Sequence, residues 1–268
     1  MSRGGFRMLR CAVPGVEAVE AASRHSFARH THDRFGIGAI HRGAQRSLSG
    51  RGTVEAGAGD VITVNPGEVH DGMPIGDGGR AWRILYFEPA LVADAVDDLT
   101  EGRGHGYAFS RPVVSGGGAG HRVAALFDAM TTGAVALRCE ELLPPLLAEL
   151  GGGIVSVTRS DAAIGPVGRA VELIDNDPAA PVTLADLGRV CGMSRFQVLR
   201  GFAKATGMTP HAYLVQRRID LARRLIAAGV PLAQAAADSG FADQSHMTRV
   251  FARRFGLSPG VYAQAVRG

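Results

Sequence analysis

The sequence predicts an α+β chain: a small N-terminal β-barrel with appended helices, then an all-α C-terminal domain carrying two helix-turn-helix motifs. Three observations lead there. Residues 182–262 say nearly the same thing twice, at an offset of 48 for the early positions (Val182 to Val230, Leu184 to Leu232, Gly192 to Gly240) and 49 for the later ones (Arg200 to Arg249, Phe202 to Phe251, Tyr213 to Tyr262). Each copy spaces its apolar residues for two helices separated by a glycine. Residues 29–89, by contrast, are short apolar runs punctuated by Gly and Asp, the texture of closely spaced strands.

Residues 1–27 are weakly patterned around Pro14 and Gly15 and read as an arm or a first strand. Strands are expected over 35–40, 46–48, 52–55, 60–64 and 81–87. After Glu88-Pro89 the texture changes: 90–99 is a short helix, 101–106 a Gly-rich loop, and 107–114 one more extended segment broken at Pro112. A turn at 116–118 leads into two amphipathic helices, 119–130 and 134–150. Their apolar positions are Leu126, Phe127 and Met130, then Leu137, Leu142, Leu143, Leu146, Leu147 and Leu150. Pro144-Pro145 kinks the second helix or marks its start. Three glycines open a polar linker over 151–165, and a helix over 167–176 begins the C-terminal domain. The domains are therefore 1–150, the linker, and 166–268.

Within the first copy of the repeat, Thr183 stands as an N-cap with Asp186 in the capping-box position, ahead of an apolar stripe of Leu184, Leu187 and Val190. Gly192 ends that helix in the left-handed conformation. Ser194 caps a second helix whose Val198, Phe202 and Ala205 face inward, which leaves Arg195, Phe196, Leu199, Arg200 and Lys204 facing out. The second copy has a helix over 231–239, a turn at Gly240, and Asp243 capping a helix in which Met247, Val250 and Phe251 pack. Gln244, Ser245, Thr248 and Arg249 face out. One inserted residue between Gly240 and Asp243 accounts for the change of offset. The helix joining the copies opens at Thr209-Pro210 and runs to about Ala228, roughly 30 Å at 1.5 Å per residue. That is close to the ~34 Å between successive major-groove faces. Exposed Arg, Lys, Gln, Ser and Thr suit phosphates and base edges. A solvated packing domain is the plainer reading of one such unit; the duplication favours DNA recognition.

With 268 residues and 46% hydrophobic content, the chain can bury two cores. It has no apolar run of membrane-spanning length and no secretory pattern at its N-terminus, so a cytoplasmic, non-membrane protein is expected. Cys11, Cys139 and Cys191 lack paired spacing and read as reduced, small hydrophobes rather than a disulfide or zinc framework. From Pro166 onward there are thirteen Arg and Lys against seven Asp and Glu, whereas the remainder has sixteen against eighteen. The positive field thus belongs to the C-terminal part, as a polyanion-binding domain requires.

The run from Gly240 through Phe-Ala-Asp-Gln-Ser-His-Met-Thr-Arg-Val-Phe-Ala-Arg-Arg-Phe-Gly-Leu-Ser-Pro-Gly-Val to Tyr262 resembles the signature of AraC/XylS-type transcriptional regulators. The resemblance covers about the last hundred residues. It implies double-stranded DNA contacts by Arg195, Phe196, Leu199 and Arg200 on the first recognition helix, with Lys204 beside them, and by Gln244, Ser245, Thr248 and Arg249 on the second. Leu199 departs from the polar residue often found there: it reads a thymine methyl, or it marks the first helix as the weaker reader.

Upstream, His30-Thr-His32 and the run Gly59-Asp-Val-Ile-Thr-Val-Asn-Pro-Gly-Glu-Val-His70 resemble, more loosely, the cupin-like effector domain of the same family. That likeness implies a small-molecule effector in the barrel and a homodimer joined through the paired helices, with simple packing of those helices against the barrel as the other reading. It also leans towards activation, with RNA polymerase as a further partner. Three converging histidines have the composition of a metal site. The carboxylate expected after His32 is missing, because Arg34, Phe35, Gly36 and Ile37 stand there. His30, His32 and His70 are therefore assigned to an effector pocket with no metal or other cofactor, and Trp82 and Tyr86, at an even strand spacing, to its wall. Trp82 reads equally well as core. The alternative is a metal-dependent cupin enzyme with an accessory nucleic-acid module. The missing carboxylate argues against it, and no catalytic motif (Gly-x-Ser-x-Gly, phosphate loop, Cys-His pair) supports an enzyme.

Overall fold

A computed structural model describes residues 5–101, 106–116, 118–132, 136–151 and 165–267. The chain divides into two compact units, the division falling among residues 152–164. Most of the expected loop over 101–106 and nearly all of the linker lie outside the described residues, as do part of the turn at 116–118, the first residues of the helix expected from 134, and the Leu137 side chain.

The N-terminal unit has ten strands: β1 (Gly5–Leu9), β2 (Val16–Ser23), β3 (Phe27–His30), β4 (Phe35–Arg42), β5 (Ala44–Ser49), β6 (Gly52–Gly57), β7 (Val61–Val64), β8 (His70–Ile75), β9 (Arg80–Phe87) and β10 (Val113–Val114). They form a six-stranded sheet of order β1-β2-β9-β4-β7-β10 and a four-stranded sheet of order β3-β8-β5-β6, with antiparallel pairing throughout the described ladders. Three helices follow the barrel strands: α1 (Pro89–Thr100), α2 (Ala119–Thr131) and α3 (Ala136–Leu150).

The larger sheet buries an apolar cluster on each of its faces. On β9, Leu85 and Phe87 join Phe35, Ile37 and Val16 in a core closed by Val92 of α1, Val123, Leu126 and Phe127 of α2, and Leu146, Leu147 and Leu150 of α3. Trp82 and Ile84 point the other way, into a smaller cluster with Ala21, Ile40 and Ala56, the last from the four-stranded sheet. Gly38 exists because of this second cluster: a Cβ there would lie 2.9 Å from the Ile84 Cβ and 2.8 Å from the Arg83 carbonyl oxygen.

Several expectations are corrected. Residues 1–27 supply two strands and the start of β3, and β8 begins at His70, although none of these shows clean alternation. They are stabilised by ladder pairing, such as the eight-residue register of β2 on β9. Of 107–114 only Val113–Val114 forms a strand, while Phe109 makes an isolated bridge to Gly151. Pro144 and Pro145 lie inside α3, which begins at Ala136, so they do not mark its start.

The C-terminal unit holds α4 (Gly168–Asn176), α5 (Leu184–Cys191), α6 (Arg195–Thr206), α7 (Pro210–Ala227), α8 (Leu232–Asp238), α9 (Gln244–Phe255) and α10 (Pro259–Arg267). Both capping boxes of the first copy form: Thr183 accepts from the Asp186 N–H and Ser194 from the Gln197 N–H, each with the reciprocal bond. Val198 and Phe202 are buried with Leu187, Cys191, Ala170, Ile174 and Leu214. Ala205 is exposed, contrary to the inward position assigned to it: the buried stripe of α6 ends at Phe202, and the next buried residue is Met208, beyond the left-handed Gly207. In the second copy Met247 and Phe251 are fully buried and Val250 is half-buried. The inserted residue sits in the turn: Gly192 and Ser194 are separated by Met193, Gly240 and Asp243 by Phe241 and Ala242.

Gly240 has φ +78° and a Cβ there would meet the Ala179 carbonyl oxygen at 2.6 Å. A left-handed L residue alone costs roughly 1–2 kcal/mol. Gly240→Ala should therefore lower the urea midpoint of the helical far-UV dichroism by at least that equivalent. Trp82 is the sole tryptophan and belongs to the other unit, so the midpoint followed by its fluorescence should stay where it was.

Candidate functional site

In the C-terminal unit, each helix-turn-helix presents its second helix. Along α6, Arg195, Phe196, Leu199, Arg200 and Lys204 are all exposed. Phe196 is 65% exposed, unusual for a phenylalanine, and the Arg200 guanidinium sits 5.5 Å from its ring centroid one helical turn on. Gln244, Ser245 and Arg249 are exposed on α9 and Thr248 is half-buried. The N-terminus of α9 is fixed by Asp243, whose carboxylate accepts the His246 N–H at 2.6 Å.

Between the two helix pairs runs α7, and its contacts explain why they are held at all. Asp175 of α4 accepts from the Tyr213 hydroxyl (2.9 Å) and from Arg217 Nε (2.7 Å). Arg218 donates to the carbonyls of Pro178 and Ala180, at 2.8 and 3.0 Å, tying down the α4–α5 connection. On the opposite side Gln216, Asp220 and Arg223 are buried, with Gln216 Nε2 donating to Asp220 at 2.8 Å, and Arg223 lies 5.9 Å from the Phe255 ring of α9. Burial pushes the Arg254 guanidinium down to about 10, partly offset by the nearby Asp220 carboxylate.

In the barrel, His30 and His70 are directly paired across β3 and β8. His32 follows two residues later, its carbonyl accepting the Gly67 N–H at 2.8 Å. The ring centroids of His30, His32 and His70 lie 4.3–5.1 Å from one another, and Tyr86 on β9 reaches His32 at 4.8 Å. The four residues assigned from spacing are thus brought together where the two sheets face each other. Trp82 shares the inner face of β9 with Tyr86, but it packs on Phe6 and Phe27 (5.7 and 6.3 Å) rather than on the histidines. Among the described residues no carboxylate groups with the three histidines, and Arg34 pairs instead with Glu17 and Glu88.

Sequence reasoning overlooked Arg80. It precedes Trp82 by two on the same strand, so the even spacing that singled out Trp82 and Tyr86 could have found it. Only 2% exposed, it donates from Nε to Gln45, from Nη1 to the His25 carbonyl and from Nη2 to the Gly72 carbonyl, and it stacks 4.8 Å above Trp82. All three acceptors are neutral, and burial lowers its pKa to about 10, which keeps it cationic at neutral pH.

An antiparallel barrel with helices on one face, joined in one chain to a tandem helix-turn-helix unit, defines a one-component regulator with separate sensing and DNA-binding parts. Family models agree: an AraC-like ligand-binding domain matches residues 13–147 and a helix-turn-helix domain residues 187–265. The HTH-type transcriptional regulator YbfI of Bacillus subtilis is 33% identical over 224 residues, 82% of this chain and 81% of that protein. The transcriptional activator NphR of a Rhodococcus species is 34% identical over 59% of this chain and 49% of its own. ToxT of Vibrio cholerae, solved with an unsaturated fatty acid bound, aligns over 100% of this chain and 99% of its own at a TM-score of 0.59 and 15% identity, a likeness of fold. The chain belongs to the AraC family of transcriptional regulators, with an N-terminal ligand-binding domain and a C-terminal helix-turn-helix DNA-binding domain. No helix among the described residues is long and apolar enough to cross a membrane.

Replacing Arg80 by Leu would orphan three acceptors, each costing about 1–3 kcal/mol if left unsatisfied. Arg80→Leu should lower the denaturation midpoint read by Trp82 fluorescence by at least about 2 kcal/mol and shift that emission, since the cation leaves the indole face. An unchanged midpoint would show that water or a neighbour replaces the guanidinium without cost.

Proposed function

We propose that this regulator activates transcription by seating α6 and α9 in successive major grooves of one operator, under the control of a small molecule held in the barrel. The observation that carries the reading is the duplication: two helix pairs each leave a polar, partly basic second helix exposed, joined through α7, whose 18 residues span about 27 Å at 1.5 Å per residue. Arg195, Arg200, Lys204 and Arg249 supply phosphate or guanine contacts, Phe196 and Leu199 apolar contacts to thymine methyls and sugar edges, and Gln244, Ser245 and Thr248 hydrogen bonds to bases or backbone. The effector lies against His30, His32, His70 and Tyr86, with Trp82 in the deeper wall. It acts by binding one arrangement of the two units better than another, since equal affinity for both shifts nothing. The protein works in the cytoplasm as a homodimer assembled through α2 and α3, and its operator-bound form engages RNA polymerase.

The test is a footprint on the DNA flanking the protein's own gene, with affinity followed against salt. Discrete protection over about two helical turns, weakening steeply as salt rises, is the expected result. Arg249→Ala should cost about 1–3 kcal/mol in specific binding. Diffuse coating without a boundary, or unaltered affinity of that variant on every operator sequence, would remove α9 from base readout.

A further inference from the structure

We propose that His30, His32 and His70 form a binding site for one divalent transition-metal ion inside the effector chamber. The inference deepens the effector reading and rests on it, since it names what the histidine end of that chamber takes. The three residues each offer a ligand nitrogen, and these atoms all lie within 4.8 Å of one another. Imidazole nitrogens bind such ions at about 2.0–2.1 Å, which sets neighbouring ligands of a tetrahedral ion roughly 3.4 Å apart. Side-chain rotations of about 1 Å therefore close the site.

Two independent features prepare the rings. His30 Nδ1 lies 2.7 Å from the Ala28 carbonyl oxygen, and His70 Nδ1 lies 3.0 Å from that of Glu68. A carbonyl can only accept, so each Nδ1 carries a proton, and in the neutral ring Nε2 then carries the lone pair, the tautomer a metal requires. The same backbone bonds hold the ring planes, as outer-sphere partners do for ligating histidines. The scaffold is also fixed. His30 and His70 are register partners on adjacent strands, and His32 is held to the turn before β8 by the Gly67 bond.

The donor set selects the ion. Three neutral imidazoles without a carboxylate suit zinc, cobalt(II), nickel or copper, and disfavour magnesium and calcium, which take oxygen ligands. With three protein ligands the ion keeps a coordination position for water or for a donor atom of an organic effector. This departs from the metal-free pocket that the sequence favours. There the missing carboxylate decided the matter, but a three-histidine set does not need one.

The full-length chain, stripped with chelator and titrated with cobalt(II), should develop visible ligand-field absorption that saturates at one ion per chain and is displaced by zinc. Zinc should also raise the thermal midpoint. His70→Gln and His32→Gln should each weaken cobalt binding at least about 100-fold, since outer-sphere partners alone are worth 10–100-fold, whereas His41→Gln on β4 should leave it unchanged. Circular dichroism establishes that each variant is folded, and should the histidine variants not fold, the wild-type titration decides alone. A folded wild-type chain without saturable binding, or binding indifferent to both substitutions, overturns the site. Operator footprinting of the metal-free chain reports separately, so a discrete footprint beside a failed titration sinks the metal site and leaves the DNA reading standing.

Discussion

Burial of one central element on two opposite faces organises each unit. In the C-terminal unit the element is α7, which must be apolar or neutralised on every side that carries a helix pair. Towards α4 it offers Leu214 to the first core and ties Tyr213 and Arg217 to Asp175. Along the rest of its length Ile219, Ala222 and Ile226 are fully buried. A helix packed on both faces buries polar groups as well: Gln216, Asp220 and Arg223 lie inward, with Gln216 donating to Asp220, while Arg224 stays exposed. Such buried polar groups contribute little net stability over an apolar substitute, but leaving one without its partner is costly, so they favour one packing over its neighbours. In the proposed complex, where α6 and α9 keep a fixed separation, a single packing is what matters.

Strand β9 has the same position in the barrel. Its odd-numbered residues meet the helices and its even-numbered ones meet the opposite sheet. The even face runs Arg80, Trp82, Ile84, Tyr86, from a buried cation through an aromatic and an aliphatic residue to the ring beside the histidines. Because the period is two, a slip of one residue would exchange this face with that of Leu85 and Phe87 and take Arg80 away from its three acceptors. Register and chamber chemistry are therefore one specification. The same strand couples the polar end of the chamber to the main core.

How far the sequence discloses this depends on what stabilises each part. The helices of the repeat are stabilised locally, by caps, glycine stops and periodic apolar residues, and their bounds can be read to within a residue or two: Thr183, Ser194, Thr209 and Asp243 all cap as placed. Ala205 was misjudged because helical spacing alone does not tell where in the last turn the core ends: Ala205 lies inside α6 and is exposed. Strands β1, β2, β3 and β8 were hardly legible since their stability lies in ladder partners distant in sequence: Ala18 opposite Leu85, His30 opposite His70. The histidines and Tyr86 were legible as residue types, and their convergence needed the fold. Arg80 was missed because charge suggests a surface, and only its neutral acceptors, two of them backbone carbonyls, make burial tolerable.

The two copies of the helix pair have diverged in chemistry while keeping one geometry, and the divergence has a physical sense. On α6 the exposed residues are cationic or apolar, with Arg200 laid along the Phe196 ring. Such a surface gains from releasing counterions and from burying methyl and ring area, terms that vary weakly with base identity. On α9 the exposed first turn is polar and uncharged, Gln244 and Ser245, followed by Arg249 and Arg253, and short hydrogen-bonding side chains discriminate through groups left unpaired on the wrong base. The extra residue in the second turn sets Asp243, with its short bond to the His246 N–H, at the point where α9 begins, which fixes the axis along which those donors project. In the proposed complex α6 then contributes chiefly affinity and α9 chiefly discrimination, and α7 makes each conditional on the other by holding both to one span of DNA.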